Sequence, residues 1–157
     1  MYLVRYKLKG GRNLHNIELK ILIGLHRNVR SLDKKTSDIA AKYNLTFSQF
    51  MVLEALYSKG DMSVGEVRDY ILSSVGTIPL VVKNLEKMDL ITRRIDEKDK
   101  RISILHLSEK GKEIIQEVAP QNEQMVLEYI SVLSEEEKKQ MVSLLKKIGG
   151  KNNEERN

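Results

Sequence analysis

Six charged side chains stand in a row at Asp96-Glu97-Lys98-Asp99-Lys100-Arg101, between the apolar, isoleucine-rich runs "LITRRI" and "ISILHL". A connection with no apolar side chain to bury projects into water, and its cations Lys98, Lys100 and Arg101 can then reach a polyanion. Arg101 leads these candidates, because a guanidinium can enter a narrow minor groove and hold several acceptors at once. Asp99 lies two residues away, so on an extended segment it shares a face with Arg101 and can orient it. The plainer reading is a solvated charge pair that contributes almost nothing to stability.

Other chemistry is poorly provided for. The 157 residues contain no cysteine, which removes disulfides, thiolate metal sites and cysteine nucleophiles together. The three histidines, His15, His26 and His106, are too few and too scattered to argue for a metal site. There is no nucleophile elbow and no paired acid and base, so neither an enzyme nor a cofactor is expected.

Net charge is +5, which suits a polyanionic partner. The first twelve residues carry Arg5, Lys7, Lys9 and Arg12 with no acid; they form either an arm along phosphates or an unstructured start. With 41% apolar and 31% charged residues, the composition is that of a helix-rich globular chain rather than a disordered one. No apolar run reaches membrane-spanning length and the start does not resemble a signal peptide, so a cytoplasmic protein without a membrane partner is expected.

Helical spacing dominates the elements that must position these side chains. Leu22, Leu25, Val29, Leu32, Thr36, Ile39 and Tyr43 recur at intervals of three and four, predicting a helix from about Asn16 to Tyr43. At roughly 40 Å this helix is longer than a small domain needs for its own core. The extra apolar residues Ile17, Leu19, Ile21 and Ile23 widen its stripe at the N-terminal end, where a subunit interface is expected.

Next, Thr46 and Gln49 have capping-box spacing ahead of Phe50, Leu53, Leu56 and Tyr57, and Gly60 stops that helix. Ser63 and Glu66 repeat the device for a short helix over Val64 to Ile71. A turn follows, with Ser73 or Ser74 as the cap of a further helix carrying Ile78, Val81 or Val82, Leu85 and Met88. Two short helices joined by a turn have the layout of a helix-turn-helix, and a projecting basic hairpin after them makes it a winged helix.

Helix then returns. Ser108 is a cap candidate, Pro120 is expected to bend the helix that follows, and Asn122 fills a gap in its seam of Ile115, Val118, Met125, Tyr129 and Val132. Ser134 and Glu137 open a last helix with the stripe Met141, Leu144, Leu145 and Ile148, expected to end at Gly149 and Gly150.

The order long helix, helix-turn-helix, wing and two further helices resembles the MarR family of transcriptional regulators from about residue 16 to residue 148. The most specific part is "LEKMDLITRRIDEKDKRISILHLSEKG", Leu85 to Gly111. It is similar to that family's helix ending in Leu-Glu, hydrophobic first strand, Asp-basic-Arg wing and Leu-Ser/Thr-x-x-Gly start of the next helix. More weakly, "ILSSVGTIPLVVKNLE" is similar to members that respond to quinones and phenolic compounds.

The fold expected is therefore mainly α with a small β-hairpin wing. It comprises a basic segment at 1–15, an N-terminal dimerisation helix at 16–45, a winged helix-turn-helix at 46–108, C-terminal dimerisation helices at 109–149 and a tail at 150–157. The resemblance implies a homodimer on double-stranded DNA with a near-palindromic operator. It also implies a pocket for a small aromatic, phenolic or otherwise apolar effector, with His15, His26, Phe47, Phe50 and Met51 as candidate lining.

For DNA contact the resemblance supports Arg101 with Asp99, and Lys98, Lys100 and Arg94 as phosphate contacts or plain solubilising charges. Ser74 and Thr77 lie near the start of the second helix of the helix-turn-helix, where hydroxyls meet phosphates or base edges; Ser73 is a cap or a contact. Lys83 is off the apolar stripe, and Ser63 can hold a phosphate as well as cap its helix. Pro79 departs from the family, which often has a polar side chain near this point; the helix should begin close to Ile78 or be kinked.

Overall fold

The structure, a computed structural model, describes residues 17–71, 78–96 and 99–154. In chain order the elements are α1 (Ile17–Ala41), α2 (Phe47–Lys59), β1 (Met62–Ser63), α3 (Val64–Ile71), α4 (Ile78–Lys87), β2 (Ile91–Ile95), β3 (Ser103–Leu107), α5 (Glu109–Ile130) and α6 (Glu135–Glu154). None of the described helices is long and apolar enough to cross a membrane.

α2 sits at the centre, against α1, α3, α4, α5 and β3. Its start is set by reciprocal caps, the Thr46 N–H donating to Gln49 Oε1 at 2.8 Å and the Gln49 N–H to Thr46 Oγ1 at 3.3 Å. It stops at Gly60, whose φ of 84° is open to glycine at little steric cost. Phe50, Val52, Leu53, Ala55 and Leu56 are buried, so the helix is covered on more than one side. Tyr57, expected on the buried face, is 47% exposed. The same core takes Val67 and Ile71 of α3, Ile78, Val82 and Leu85 of α4, Ile91, Leu105, and Ile115 and Val118 of α5. Each large side chain fully buried here stabilises the fold by about 1.5–3 kcal/mol.

Non-glycine residues in the left-handed region end two helices. Asn44 (φ 58°) and Asp89 (φ 59°) each put the next residue's N–H on a carbonyl five residues back, Leu45 to Ala40 and Leu90 to Leu85. Both are Schellman closures, and each seats a buried leucine just past the helix.

The sheet has three antiparallel strands in the order β1-β3-β2, with Met62 opposite Leu105 and Arg93 opposite that same residue from the other side. The expected hairpin is present. β1 was not foreseen, because a two-residue strand has no periodicity to detect. Ile91 and Ile95 share a face, yet Ile91 is 2% exposed and Ile95 is 63% exposed, since the hairpin runs out past the helix layer.

α1 and the turn after it are joined to α5 by three polar pairs. Tyr129 Oη donates to Asn28 Oδ1 at 2.9 Å, Thr36 Oγ1 to Asn122 Oδ1 at 2.8 Å, and Gln121 Nε2 to the Tyr43 hydroxyl. The seam on α1 therefore divides. Thr36 and Ala40 are buried in the chain itself, whereas Ile17, Ile21, Leu22, Ile23 and Val29 are exposed.

α5 continues through Pro120 from Glu109 to Ile130. α6 starts at the expected box of Ser134 and Glu137, but it does not end at Gly149 and Gly150; it runs on to Glu154. A glycine pair weakens a helix by roughly 1 kcal/mol per residue without stopping it. Neither glycine takes the positive φ of a helix-ending turn.

Candidate nucleic-acid interface

α3 and α4 form the helix-turn-helix and β2 and β3 the wing, and a network of caps joins them. Ser108, just after β3, donates from its hydroxyl to the Asp89 carbonyl at 2.6 Å and accepts the Gly111 N–H at 2.9 Å. Its own N–H reaches the Leu90 carbonyl at 3.1 Å, and Lys110 Nζ donates to the Met88 carbonyl at 2.8 Å. The carbonyls of Met88, Asp89 and Leu90 are thereby held by the first turn of α5. Arg93 on β2 adds a two-pronged ion pair to Glu86 on α4, both bonds at 3.1 Å. The wing's root is thus fixed to the end of α4.

At the wing tip the Arg101 guanidinium donates to both Asp99 carboxylate oxygens at 3.0 Å, and the Arg101 backbone N–H adds a third bond at 3.0 Å. Arg101 remains 90% exposed at its side chain and Asp99 37%. The aspartate therefore aims the guanidinium and leaves it open to solvent. The Arg101 side chain, and then its backbone N–H, hold the Asp99 carboxyl below its ordinary pKa, and Asp99 raises that of Arg101. A depressed carboxylate contributes order above its unfolded pKa and loses it as pH falls through the folded value. The clamp is therefore expected to stay constant from about pH 8 to 5 and to open only in stronger acid. The Arg101 Nε–H signal in NMR spectra checks this; a loss near neutral pH would contradict it.

Ser63 caps α3 reciprocally, its N–H donating to Glu66 Oε2 at 2.7 Å and its hydroxyl accepting the Glu66 N–H at 3.1 Å. The Ser63 backbone N–H, and after it the Ser63 hydroxyl, lower the pKa of the Glu66 carboxyl. Ser63 and Arg101, chosen for separate reasons, meet in one pocket of about 320 Å³ with Val64, Gly65, Ile102 and Ser103. Lys83 and Lys100 are exposed. Arg94 is 67% exposed and 3.7 Å from Asp61, which also accepts from His106 Nδ1 at 2.7 Å. Asp61, Glu86, Arg93 and Lys110 were missed by sequence reading, since each acts across elements that only the fold brings together. Ser73, Ser74, Thr77 and Lys98 lie outside the described residues, as does His15.

Residues 34–118 match the family model described as transcriptional regulator SarA/Rot. The chain is 36% identical over 131 residues to the HTH-type transcriptional regulator MhqR of Bacillus subtilis, covering 83% of this chain and 90% of MhqR. In fold it is similar to AbsC, a MarR family transcriptional regulator from Streptomyces coelicolor, with a TM-score of 0.80 at 21% identity over 90% of this chain and 98% of AbsC. The chain belongs to the MarR family. A further likeness of fold is to a mutant MarR from E. coli complexed with operator DNA, with a TM-score of 0.75 at 19% identity, covering 87% and 99% of the two chains.

Membership makes this MarR-family chain an HTH-type, DNA-binding transcriptional regulator and not an enzyme. The family's Leu-Ser/Thr-x-x-Gly run has a physical basis here, because Ser108 and Gly111 are the residues that close the first turn of α5 on Leu90. Pro79 occupies the first turn of α4, where a missing N–H leaves no helix bond unmade. Among the effector-pocket candidates, His26 is exposed on α1, Phe47 and Met51 are half-buried on α2, and Phe50 is a core residue at 1% exposure.

Proposed function

We propose that this regulator is a cytoplasmic homodimeric repressor of a near-palindromic operator, released by a small aromatic, phenolic or otherwise apolar effector. The observation that carries the DNA contact is Arg101, almost wholly exposed yet aimed by three bonds to Asp99. Preorganisation of this kind lowers the entropy lost when a side chain enters a minor groove. Ser63, Lys83, Arg94, Lys98 and Lys100 hold phosphates around it, and Ser73, Ser74 and Thr77, which precede α4 in the sequence, add to the contacts with DNA. The exposed apolar stripes of α1 and α6 support the dimer. The effector acts by linkage: a ligand that prefers a lobe spacing mismatched to the operator weakens DNA binding by its differential affinity. The residues we assign to its pocket are His15, His26, Phe47, Phe50 and Met51.

The test is fluorescence anisotropy on DNA upstream of the chain's own gene and on a scrambled duplex, at two salt concentrations. Arg101→Ala is expected to weaken upstream binding by about tenfold or more and to flatten the salt dependence, each neutralised phosphate adding roughly −0.9 to its log-log slope. An unchanged affinity would remove Arg101 from the interface. Absence of binding by a folded dimer would instead favour a winged helix used for protein contacts.

A further inference from the structure

The described part of the recognition helix turns an unexpected set of side chains to solvent. α4 buries Ile78, Val82 and Leu85, which leaves Pro79, Leu80, Lys83 and Lys87 exposed. Leu80, Lys83 and Lys87 follow one another at intervals of three and four, so they form one stripe along the helix. Leu80 is 54% exposed. Lysines are point-charge donors suited to phosphates, and neither Pro79 nor Leu80 has a side-chain donor or acceptor. Asn84, the one amide on α4, is half-buried. The exposed side chains of this face thus offer no amide or guanidinium for two-pronged hydrogen bonding to a base edge. What they offer is an apolar surface flanked by cations. The major groove contains one apolar group to match it, the C5-methyl of thymine, and phosphates lie along its walls.

We propose that Leu80 reads thymine in each half-site through that methyl group, with Pro79 as an adjoining apolar wall and Lys83 and Lys87 on the flanking phosphates. This rests on the DNA-binding reading above and adds what the helix recognises. An apolar patch on a partner protein would satisfy Leu80 but would leave both lysines without counter-charges, so DNA is the occupant that fits the whole stripe.

The test begins with selection of a duplex from a random-sequence library by the full-length dimer. The selected duplex is then prepared twice, with thymine and with deoxyuridine, which removes the methyl and keeps the pairing. Burial of one methyl corresponds to about a fourfold change in affinity, so two half-sites give roughly fifteenfold tighter binding of the thymine duplex by the wild type. Leu80→Ala is expected to bind both duplexes alike, near the wild-type affinity for the uracil form. Leu80→Met should keep the preference. Lys83→Ala should weaken both duplexes equally and preserve the ratio. Equal wild-type affinity for the two duplexes overturns the proposal, and so does a thymine preference that survives in Leu80→Ala, which would place the methyl contact or a shape effect elsewhere. If a folded dimer selects no duplex at all, the DNA-binding reading falls and this proposal with it.

Discussion

Gly111→Ala is expected to destabilise the protein by about 3 kcal/mol, at the upper end of the usual cost of overpacking, and to lower the melting temperature by roughly 10 °C. In an ordinary helix the same substitution stabilises by about 1 kcal/mol, so the sign here is a tertiary effect. A Cβ on Gly111 would lie 1.9 Å from the Leu90 carbonyl oxygen and 2.9 Å from its carbon. Both obstacles are backbone and cannot rotate away. Relief requires α5 to move off Leu90, which breaks the Ser108 N–H bond to that carbonyl. It also loosens the Lys110 bond to Met88. Gly149→Ala is the control, since its Cβ would meet nothing within 4 Å; it should leave the melting temperature unchanged or raise it. Thermal unfolding of the two variants decides the matter, and equal behaviour would contradict the close approach. Because the same turn holds the wing's root against α4, a folded fraction of Gly111→Ala should also bind DNA less tightly.

Leu144→Glu with Ile148→Glu is expected to convert the proposed dimer to a monomer and to weaken operator binding by about a hundredfold or more, the lower end of what linking two sites contributes. Every α6 residue from Met141 to Gly150 is exposed in the single chain. Leu144 is 61%, Leu145 44% and Ile148 51% exposed, and Ile17, Ile21 and Leu22 on α1 are comparably bare. Such contiguous apolar stripes are rare on monomers. Carboxylates at both positions would have to be desolvated in an interface, a cost that neither apolar neighbour offsets. The core around Phe50, Leu53, Leu85 and Leu105 lies within one chain, so each lobe should remain folded. Sedimentation equilibrium reads the mass and anisotropy the affinity. A variant that remains a dimer of unchanged affinity would place the interface elsewhere.

Much of this architecture was legible because its signals are local. The caps at Thr46, Ser63, Ser108 and Ser134 each pair residues three apart, and all four form as expected. Asp99 and Arg101 are near neighbours on the wing, so their clamp could be foreseen from spacing alone. The end of α6 could not, because a glycine stops a helix only when its φ becomes positive, and sequence does not report φ.

Local pattern was enough for the set of helices, the capped starts of α2, α3, α5 and α6, and the hairpin, since periodicities of two and of three to four report which face each element must bury. The rest came from packing. It selected Val82 over Val81 for the core, paired Thr36 with Asn122 across 86 residues, committed Arg93 to Glu86, brought Ser63 beside Arg101 and left Leu80 bare on the recognition helix. These are contacts between elements distant in the chain. Their geometry follows from how whole faces pack, which no single stretch of sequence encodes.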